Sequence, residues 1–217
     1  MKKPLLIIGN KNYSSWSLRP WLMLKHAGVD FEELRIPLFE PGSRENLLAN
    51  TPAGLVPVYR ERDLLIWDSL AIAEYLYETN PALWPAERGT RATARAVSAE
   101  MHSGFIPLRK AMSMNIRALG RKVARTPEIE ADIARIKSIW RELRKQYSAA
   151  GPWLFGQYSI ADAMFAPVVF RFLTYGVGEP GAVDEYLLTV AHDPLIQPWI
   201  NDAAQEKEVI AINEVGL

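Results

Sequence analysis

Hydrophobic and polar positions alternate in short blocks over the first 80 residues. An apolar run closed by Gly9-Asn10 predicts a buried strand at 5–8, and "VDFEELRIPL" alternates as a half-buried strand does. Two further strands flank the tight turn "RERD", so they should pair as an antiparallel hairpin. Helical patterns fall between or after these strands, at 17–27, 43–50 and 69–78. The order β-α-β-α-β-β-α predicts an α/β domain with a mixed sheet over residues 1–80.

The pattern becomes helical after the Pro-rich linker "ETNPALWPAERG". Apolar residues recur at helical spacing over 91–119 and 128–147, and in the second range they form a single stripe. The stripe comprises Ile129, Ile133, Ile136, Trp140, Leu143 and Tyr147. "SIAD" then reads as a capping box before a helix that is apolar on nearly every side, so Ser159 and Asp162 are interpreted as folding residues. Shorter helices should follow near 182–191 and 194–204, which predicts an all-helical domain over 88–217.

The stretch "NYSSWSLRPWL" carries the first candidate site. Proline lacks an N–H and is harmless only in the first turn of a helix, so Pro20 favours a helix that begins near Trp16 or Ser17. Ser17 would then be the N-cap, and Ser14 and Ser15 would lie just before the helix. There they would be beside its positive end, which suits an anion. These residues alone favour capping over a substrate role.

Two further stretches are candidates for ligand binding. A cis bond between Val56 and Pro57 would turn the backbone of Val56 outward, where its N–H and C=O could pair with an extended ligand. Asp68 and Ser69 form a good N-cap pair for the next helix. The same carboxylate, hydroxyl and backbone N–H could instead hold the ammonium and carboxylate of an amino acid.

Composition excludes several classes of chemistry. The chain has no cysteine, which excludes disulfides, thiolate metal sites and a cysteine nucleophile. His26, His102 and His192 are far apart and form no zinc motif, so we expect no metal. A serine hydrolase is disfavoured because no GxSxG elbow is present. No apolar run reaches about 18 residues, and 5–8 is too short for a signal peptide, so we expect a cytoplasmic protein without a membrane partner.

Charge is balanced overall but uneven along the chain. The formal net charge is zero, so no nucleic-acid partner is expected. Residues 88–125 contain nine Lys or Arg and one acidic residue, for a net charge of +8, whereas residues 126–217 carry −6. The two segments could attract each other or a partner subunit. Alternatively, the basic segment could form a wall that draws in an acidic substrate.

Taken together, these motifs resemble those of the glutathione S-transferase superfamily over essentially the whole chain. The resemblance implies a thioredoxin-like N-terminal domain, an all-helical C-terminal domain, glutathione as co-substrate, and a homodimer. "SSWSLR" is similar to the "SSCSWR" signature of the zeta class, some of whose members are maleylacetoacetate isomerases. By that resemblance Ser14 is the catalytic residue that holds the thiolate, with Ser15 and Trp16 as neighbours. Val56 beside cis-Pro57 then pairs with the glutathione backbone, and Asp68 and Ser69 bind its γ-glutamyl end.

The sequence also departs from the zeta pattern. Trp16 and Leu18 replace its cysteine and tryptophan, and Ile106 and Lys110 stand near its Gln and Asn. A general glutathione transferase, a maleylacetoacetate-type isomerase and a non-catalytic ligand-binding module therefore remain alternatives. The electrophile should bind between the serines and the helix predicted at 91–119. His102, Phe105, Arg109 and Met112 could line its site, although Phe105 and Met112 could equally be core residues.

Overall fold

In the computed structural model, which describes residues 3–216, a small mixed sheet and three helices precede a helical domain. The strands are β1 (Leu5–Ile8), β2 (Glu32–Arg35), β3 (Val58–Glu61) and β4 (Leu64–Trp67), and the helices among them are α1 (Ser15–His26), α2 (Ser43–Asn50) and α3 (Ser69–Thr79). The sheet order is β2-β1-β3-β4. β1 pairs parallel with β2 and antiparallel with β3, which forms the predicted hairpin with β4. The predicted element order and mixed sheet are confirmed.

The remaining helices form a bundle around one central helix. They are α4 (Arg88–Ser103), α5 (Ile106–Ala111), α6 (Pro127–Tyr147), α7 (Ile160–Tyr175), α8 (Ala182–Ala191) and α9 (Gln197–Gln205). α7 is buried along nearly its whole length and packs against α1, α4 and α8. Its N-terminus has the predicted capping box, because Ser159 N donates to Asp162 Oδ2 at 2.8 Å. The α6 stripe is also buried as predicted, apart from the half-buried Tyr147.

The prediction of one helix over 91–119 is wrong. The segment breaks after α4 at Gly104 and Phe105, and α5 ends at Ala111. A Cβ at Gly104 would lie 2.7 Å from the carbonyl oxygen of Glu100, and Phe105 adopts a left-handed conformation with φ 57°. The chain therefore turns at this point. As a result Leu119, which the helical pattern placed on a buried face, is 77% exposed.

The predicted start of α1 is also wrong. Ser14, rather than Ser17, is the N-cap, and Ser17 N donates to Ser14 Oγ at 3.4 Å. The hydroxyl of Ser17 is instead buried against the sheet, where its Oγ accepts a hydrogen bond from Gly9 N at 3.0 Å. Pro20 is thus the sixth helical residue and leaves the carbonyl of Trp16 without its usual helical donor.

The loop between β1 and α1 is tied to the helical domain. Trp199 Nε1 donates to the carbonyl of Lys11 at 2.9 Å, and both carboxylate oxygens of Glu206 accept backbone N–H groups, from Lys11 and Asn12. This loop leads directly into Ser14, so the helical domain sets the position of the first candidate site. Among the described residues, no helix has the length and apolarity needed to cross a membrane.

The predicted domain limits, 1–80 and 88–217, stay a prediction. They include Met1, Lys2 and Leu217, which lie outside the described residues.

Candidate active site

A cavity of about 710 Å³ lies where the start of α1 meets the helical domain. Five of the predicted site residues line it together: Ser14, Ser15, Trp16, Val56 and Arg109. Ile210 and Asn213 add a wall from the C-terminal segment. Residues far apart in sequence thus converge beside the N-terminus of a 12-residue helix, where free backbone N–H groups and the helix dipole favour a negative charge.

Ser14 is engaged in an internal hydrogen-bond chain. Its side chain is 7% exposed, and its hydroxyl donates to Ser17 Oγ at 2.7 Å. Ser17 Oγ also accepts from Gly9 N, so the chain runs from the helix cap to the end of β1. A serine hydroxyl has a single proton to donate. The proton of Ser14 is therefore directed into the protein.

Ser15 is the first residue of α1 and is half-buried at the cavity. Its Oγ lies 3.4 Å from Nη2 of Arg171, which is oriented to donate to it. Within residues 3–216 the Ser15 hydroxyl accepts this bond and donates to no group, so its proton is free for a ligand.

Arg19, Arg109 and Arg171 form an arginine cluster around Trp16 and Ser15. The guanidinium carbons of Arg19 and Arg109 lie 4.3 and 4.6 Å from the centroid of the Trp16 ring. Arg171 is 7% exposed and donates to the carbonyl oxygens of Arg109 and Met112. Arg109 in turn donates to the carbonyl oxygens of His102 and Gly104.

The arginine cluster carries positive charge that nearby acids do not neutralise. Burial, followed by repulsion from Arg109 and Arg171, lowers the pKa of Arg19 to about 9, so it still holds its proton at pH 7. Burial and the charge of Arg109 likewise lower the pKa of Arg171 to about 10. The charge of Asp68 acts in the opposite direction and raises the pKa of Arg19. Among the described residues, however, no carboxylate forms an ion pair with any of the three arginines. Nη1 of Arg19 is buried and has no hydrogen-bond partner in the described part of the chain. An anion entering the cavity would lower this repulsion.

The backbone of Val56 has the predicted form. The Val56-Pro57 bond is cis, and Val56 is half-buried in the cavity wall, whereas Pro57 is buried and outside it. In the part of the chain that the structure describes, neither the N–H nor the C=O of Val56 makes a hydrogen bond. A peptide-like ligand could therefore pair with it as an added strand would.

Asp68 and Ser69 lie outside the cavity wall. Asp68 is the N-cap of α3, and its Oδ1 accepts from Leu70 N at 2.8 Å and from Ala71 N at 3.2 Å. Its other oxygen, Oδ2, lies 3.2 Å from Nε2 of His102. Ser69 Oγ is fully buried and has no partner among the described residues. His102 does not line the cavity either but packs against Trp16, which does, so this pair is connected to the cavity only through His102 and Trp16.

His102 and Phe105 have different surroundings. The His102 ring packs edge-on against Trp16, with 5.3 Å between the ring centroids. Burial lowers the pKa of His102, although the charge of Asp68 acts in the opposite direction. Phe105 and Met112 lie in the hydrophobic core and do not line the cavity, which matches the alternative interpretation of these two residues.

Comparison with known proteins decides the family. A family model described as the N-terminal domain of glutathione S-transferase matches residues 13–79, and one described as the C-terminal domain matches residues 126–201. Maleylacetoacetate isomerase from Rattus norvegicus is 33% identical over 174 residues, which cover 77% of each chain. The chain belongs to the glutathione S-transferase family.

Other similarities support this family and its zeta-like character. A probable maleylacetoacetate isomerase from Caenorhabditis elegans is 38% identical over 109 residues, which cover 49% of this chain and 50% of that protein. A glutathione transferase homolog from Burkholderia, solved with bound glutathione, has a TM-score of 0.70 at 26% identity and covers 94% of this chain and 98% of its own. The predicted membership of the glutathione S-transferase superfamily is confirmed, and so is the predicted similarity to its zeta class, whose members include maleylacetoacetate isomerases.

Within this glutathione transferase fold, the sequence reasoning missed Arg171. A signal was present, because Arg171 is the one basic residue in the otherwise apolar run "AMFAPVVFRFL" of α7. An arginine in a buried helix needs partners for its guanidinium. Two carbonyls and Ser15 Oγ supply them here. The absence of a metal stays a prediction, and among the described residues no group of three or more His, Cys, Asp or Glu side chains is placed to hold a metal ion.

Proposed function

We propose that the protein uses glutathione as co-substrate and activates its thiol for attack on a small electrophile. One observation carries the proposal. Ser14 and Ser15, at the N-terminus of α1, line the same cavity as Val56, whose backbone N–H and C=O bond to none of the described residues. The serine pair at the helix N-terminus suits the thiolate of glutathione. The backbone of Val56 suits the peptide part of glutathione.

The residues present fit glutathione. Val56 offers one backbone donor and one acceptor in the cavity wall, and Ser14 and Ser15 lie at the positive end of α1. Asp68 and Ser69 lie outside the cavity wall, but the buried hydroxyl of Ser69 has no partner among the described residues, so this pair remains the proposed contact for the γ-glutamyl end. When bound, glutathione supplies the reactive thiol that a chain without cysteine lacks.

Activation needs only a modest free energy. A free thiol has a pKa of about 8.5 and is only a few per cent ionised at pH 7. Lowering that pKa by about two units takes about 2.7 kcal/mol of preference for the thiolate. A hydroxyl donor and a helix N-terminus, each worth on the order of 1–2 kcal/mol, supply this amount.

The second substrate is proposed to be anionic. Arg109 lines the cavity, stacks on Trp16 and forms no ion pair within residues 3–216. A carboxylate on the electrophile would compensate this charge. The same observation favours a second candidate activity, glutathione-dependent cis-trans isomerisation of a maleylacetoacetate-type acid, which the names of the rat and nematode relatives also suggest.

The proposal also includes a homodimer. β4 is an edge strand, and its Leu64 and Trp67 are 47% and 50% exposed. Large apolar side chains on a sheet edge are suited to burial by a partner. Bases of the segment 88–125 pair with acids of the segment 126–217 within one chain, as Arg121 does with Glu214 and Arg125 with Glu130 at 3.5 Å, so the charges alone do not require a partner.

A pH titration of the thiolate absorbance of glutathione, free and bound to saturating protein, tests the proposed function. A bound pKa well below the free value would support thiol activation and justify a substrate screen that begins with unsaturated dicarboxylic acids. Binding with an unchanged pKa would favour a non-catalytic glutathione-binding module. Absence of binding would mean that the fold serves another purpose.

A further inference from the structure

The two serines at the start of α1 differ in what their hydroxyl protons can reach. The Ser14 proton is donated to Ser17 Oγ at 2.7 Å, inside the protein. Its Oγ also accepts Ser17 N, so turning the Ser14 hydroxyl toward the cavity requires the hydroxyl of Ser17 to reverse and donate to Ser14 Oγ. Ser15 has no such internal acceptor among residues 3–216, and it is half-buried where Ser14 is buried. The residue that the zeta-class resemblance selects is therefore the less available donor here.

Ser15 is also the serine that a buried cation faces. Arg171 is fixed by the carbonyl oxygens of Arg109 and Met112, which leaves Nη2 directed at Ser15 Oγ at 3.4 Å. A cation that donates to a hydroxyl oxygen withdraws electron density and favours donation by that hydroxyl. Because Arg171 makes no ion pair among the described residues, its charge is available to the cavity.

We propose that Ser15, rather than Ser14, donates the hydrogen bond that holds the glutathione sulfur, and that Arg171 is the positioning residue that orients Ser15. This inference rests on the proposed function. In the activation step the S–H bond breaks, the proton passes to bulk water, and the sulfur keeps the electron pair. Ser15 remains protonated and touches the sulfur, whereas Arg171 acts through Ser15 and through its charge.

The other ionisable groups around the serines are consistent with this assignment. Arg19 on α1 and Arg109 on α5 are basic, as is Arg44 in the cavity wall, whereas the acidic Glu40 lies in that wall and Asp68 lies 3.2 Å from His102. Tyr13 donates its proton to Glu214, at 2.6 Å. The Tyr13 hydroxyl is thus committed elsewhere, whereas the Ser15 hydroxyl lies at the cavity and donates to none of the described residues.

The serine variants give the direct test. Ser15→Ala and Ser14→Ala would be titrated with saturating glutathione by thiolate absorbance, and their dissociation constants measured by calorimetry. We expect Ser15→Ala to raise the bound thiol pKa by about one unit and Ser14→Ala to raise it by less than half as much. An equal or larger effect of Ser14→Ala would overturn the proposal.

The arginine variants test the positioning role. Arg171→Met should raise the bound thiol pKa by about one unit, and Arg171→Lys should recover part of the shift because it keeps the charge. Arg144 on α6 is the matched control, since it is also 7% exposed and donates to two carbonyls, those of Gly151 and Trp153. Arg144→Met should destabilise the fold to a similar extent while the bound pKa stays unchanged. Equal pKa shifts in the two variants would overturn the role of Arg171.

The wild-type titration separates the two proposals. If the wild-type protein does not bind glutathione, or binds it without lowering its pKa, the proposed function itself fails. If the wild type lowers the pKa and Ser15→Ala does so equally well, the function stands and the assignment of Ser15 is wrong. Should Arg171→Met be too unstable to purify, Ser15→Ala and Arg171→Lys still decide the outcome.

Discussion

The hydroxyl of Tyr13 donates a hydrogen bond of 2.6 Å to Glu214, and so joins the residue before the serine pair to the C-terminal segment. The same carboxylate oxygen accepts from Asn115 Nδ2 at 2.8 Å, and the other oxygen is paired with Arg121. Burial and the hydrogen bond to Glu214 raise the pKa of Tyr13, which keeps its hydroxyl protonated. Glu214 thus accepts hydrogen bonds from three side chains, and it directly follows Asn213, which lines the cavity.

Removing this carboxylate should destabilise the protein and loosen the cavity wall. Glu214→Ala leaves Tyr13, Asn115 and Arg121 without their shared acceptor, and water can replace it only in part because the side chain is 18% exposed. We expect the free energy of unfolding to fall by about 1–3 kcal/mol, as measured by urea denaturation. The KM for the second substrate should rise as well, since the neighbouring Asn213 lines the cavity.

Glu208 provides the control on the same segment. The Glu208 side chain is 20% exposed, about as much as that of Glu214, but its carboxylate pairs with the single side chain of Arg35, at 2.8 Å, so Glu208→Ala should cost less than about 1 kcal/mol. A loss in Glu214→Ala no larger than that in Glu208→Ala would contradict the anchoring role of Glu214.

Arg109 should discriminate between charged and neutral electrophiles. We expect Arg109→Ala to raise KM by about tenfold for a dicarboxylate electrophile, because a charge-assisted hydrogen bond worth about 1.5–3 kcal/mol is lost. KM for a neutral electrophile should change little. Steady-state kinetics with both substrates on the same variant separates charge recognition from general damage to the fold.

Arg95 lies in the same basic segment and serves as the control. It pairs with Glu74 at 2.8 Å, and it does not line the cavity. Arg95→Ala should leave both KM values unchanged. If Arg109→Ala affected the two electrophiles equally, Arg109 would not bind the substrate anion.

Local patterns were sufficient for much of the fold. The "RERD" turn fixed the β3–β4 hairpin, and the α6 stripe and the "SIAD" box depend on contacts within a few residues. The break near Gly104 is different. Its cause is the close approach to the Glu100 carbonyl and the left-handed turn at Phe105, and an apolar repeat does not report either feature.

The candidate site was only partly predictable for the same reason. Ser14, Ser15 and Val56 belong to local motifs, so their types and spacing could be recognised in the sequence. The choice between Ser14 and Ser17 as N-cap depends on Gly9, which lies in a different element. The contact of Arg171 with Ser15 joins residues that are 156 positions apart. Such contacts follow from the packing of α7 against α1, which no local pattern specifies.

The edge strand β4 allows a test of the homodimer. Trp67→Glu places a charge on the proposed interface, and we expect the dimer dissociation constant to rise at least about 30-fold, since a buried tryptophan often contributes 2 kcal/mol or more. Light scattering after size-exclusion chromatography should then give the single-chain mass of 24.5 kDa at concentrations at which the wild type is dimeric. Leu188→Glu, at a residue that is 53% exposed on α8, should leave the mass unchanged. A monomeric wild type, or a Trp67→Glu variant that remains dimeric, would exclude this interface.

Asp162 should give the stability of the protein a specific pH dependence. Burial raises its pKa from 3.8 to about 6, although it accepts hydrogen bonds from Ser159, Leu154 and Tyr186. A carboxyl with a raised pKa in the folded state contributes most to stability below the unfolded pKa, and this contribution is lost as the pH rises toward 6. Asp162→Asn does not titrate, so the wild type should gain about 1 kcal/mol of unfolding free energy relative to the variant between pH 7 and pH 5. Urea denaturation of both proteins at these two pH values measures the difference. A constant difference would show that Asp162 keeps an ordinary pKa and that its hydrogen bonds outweigh its burial.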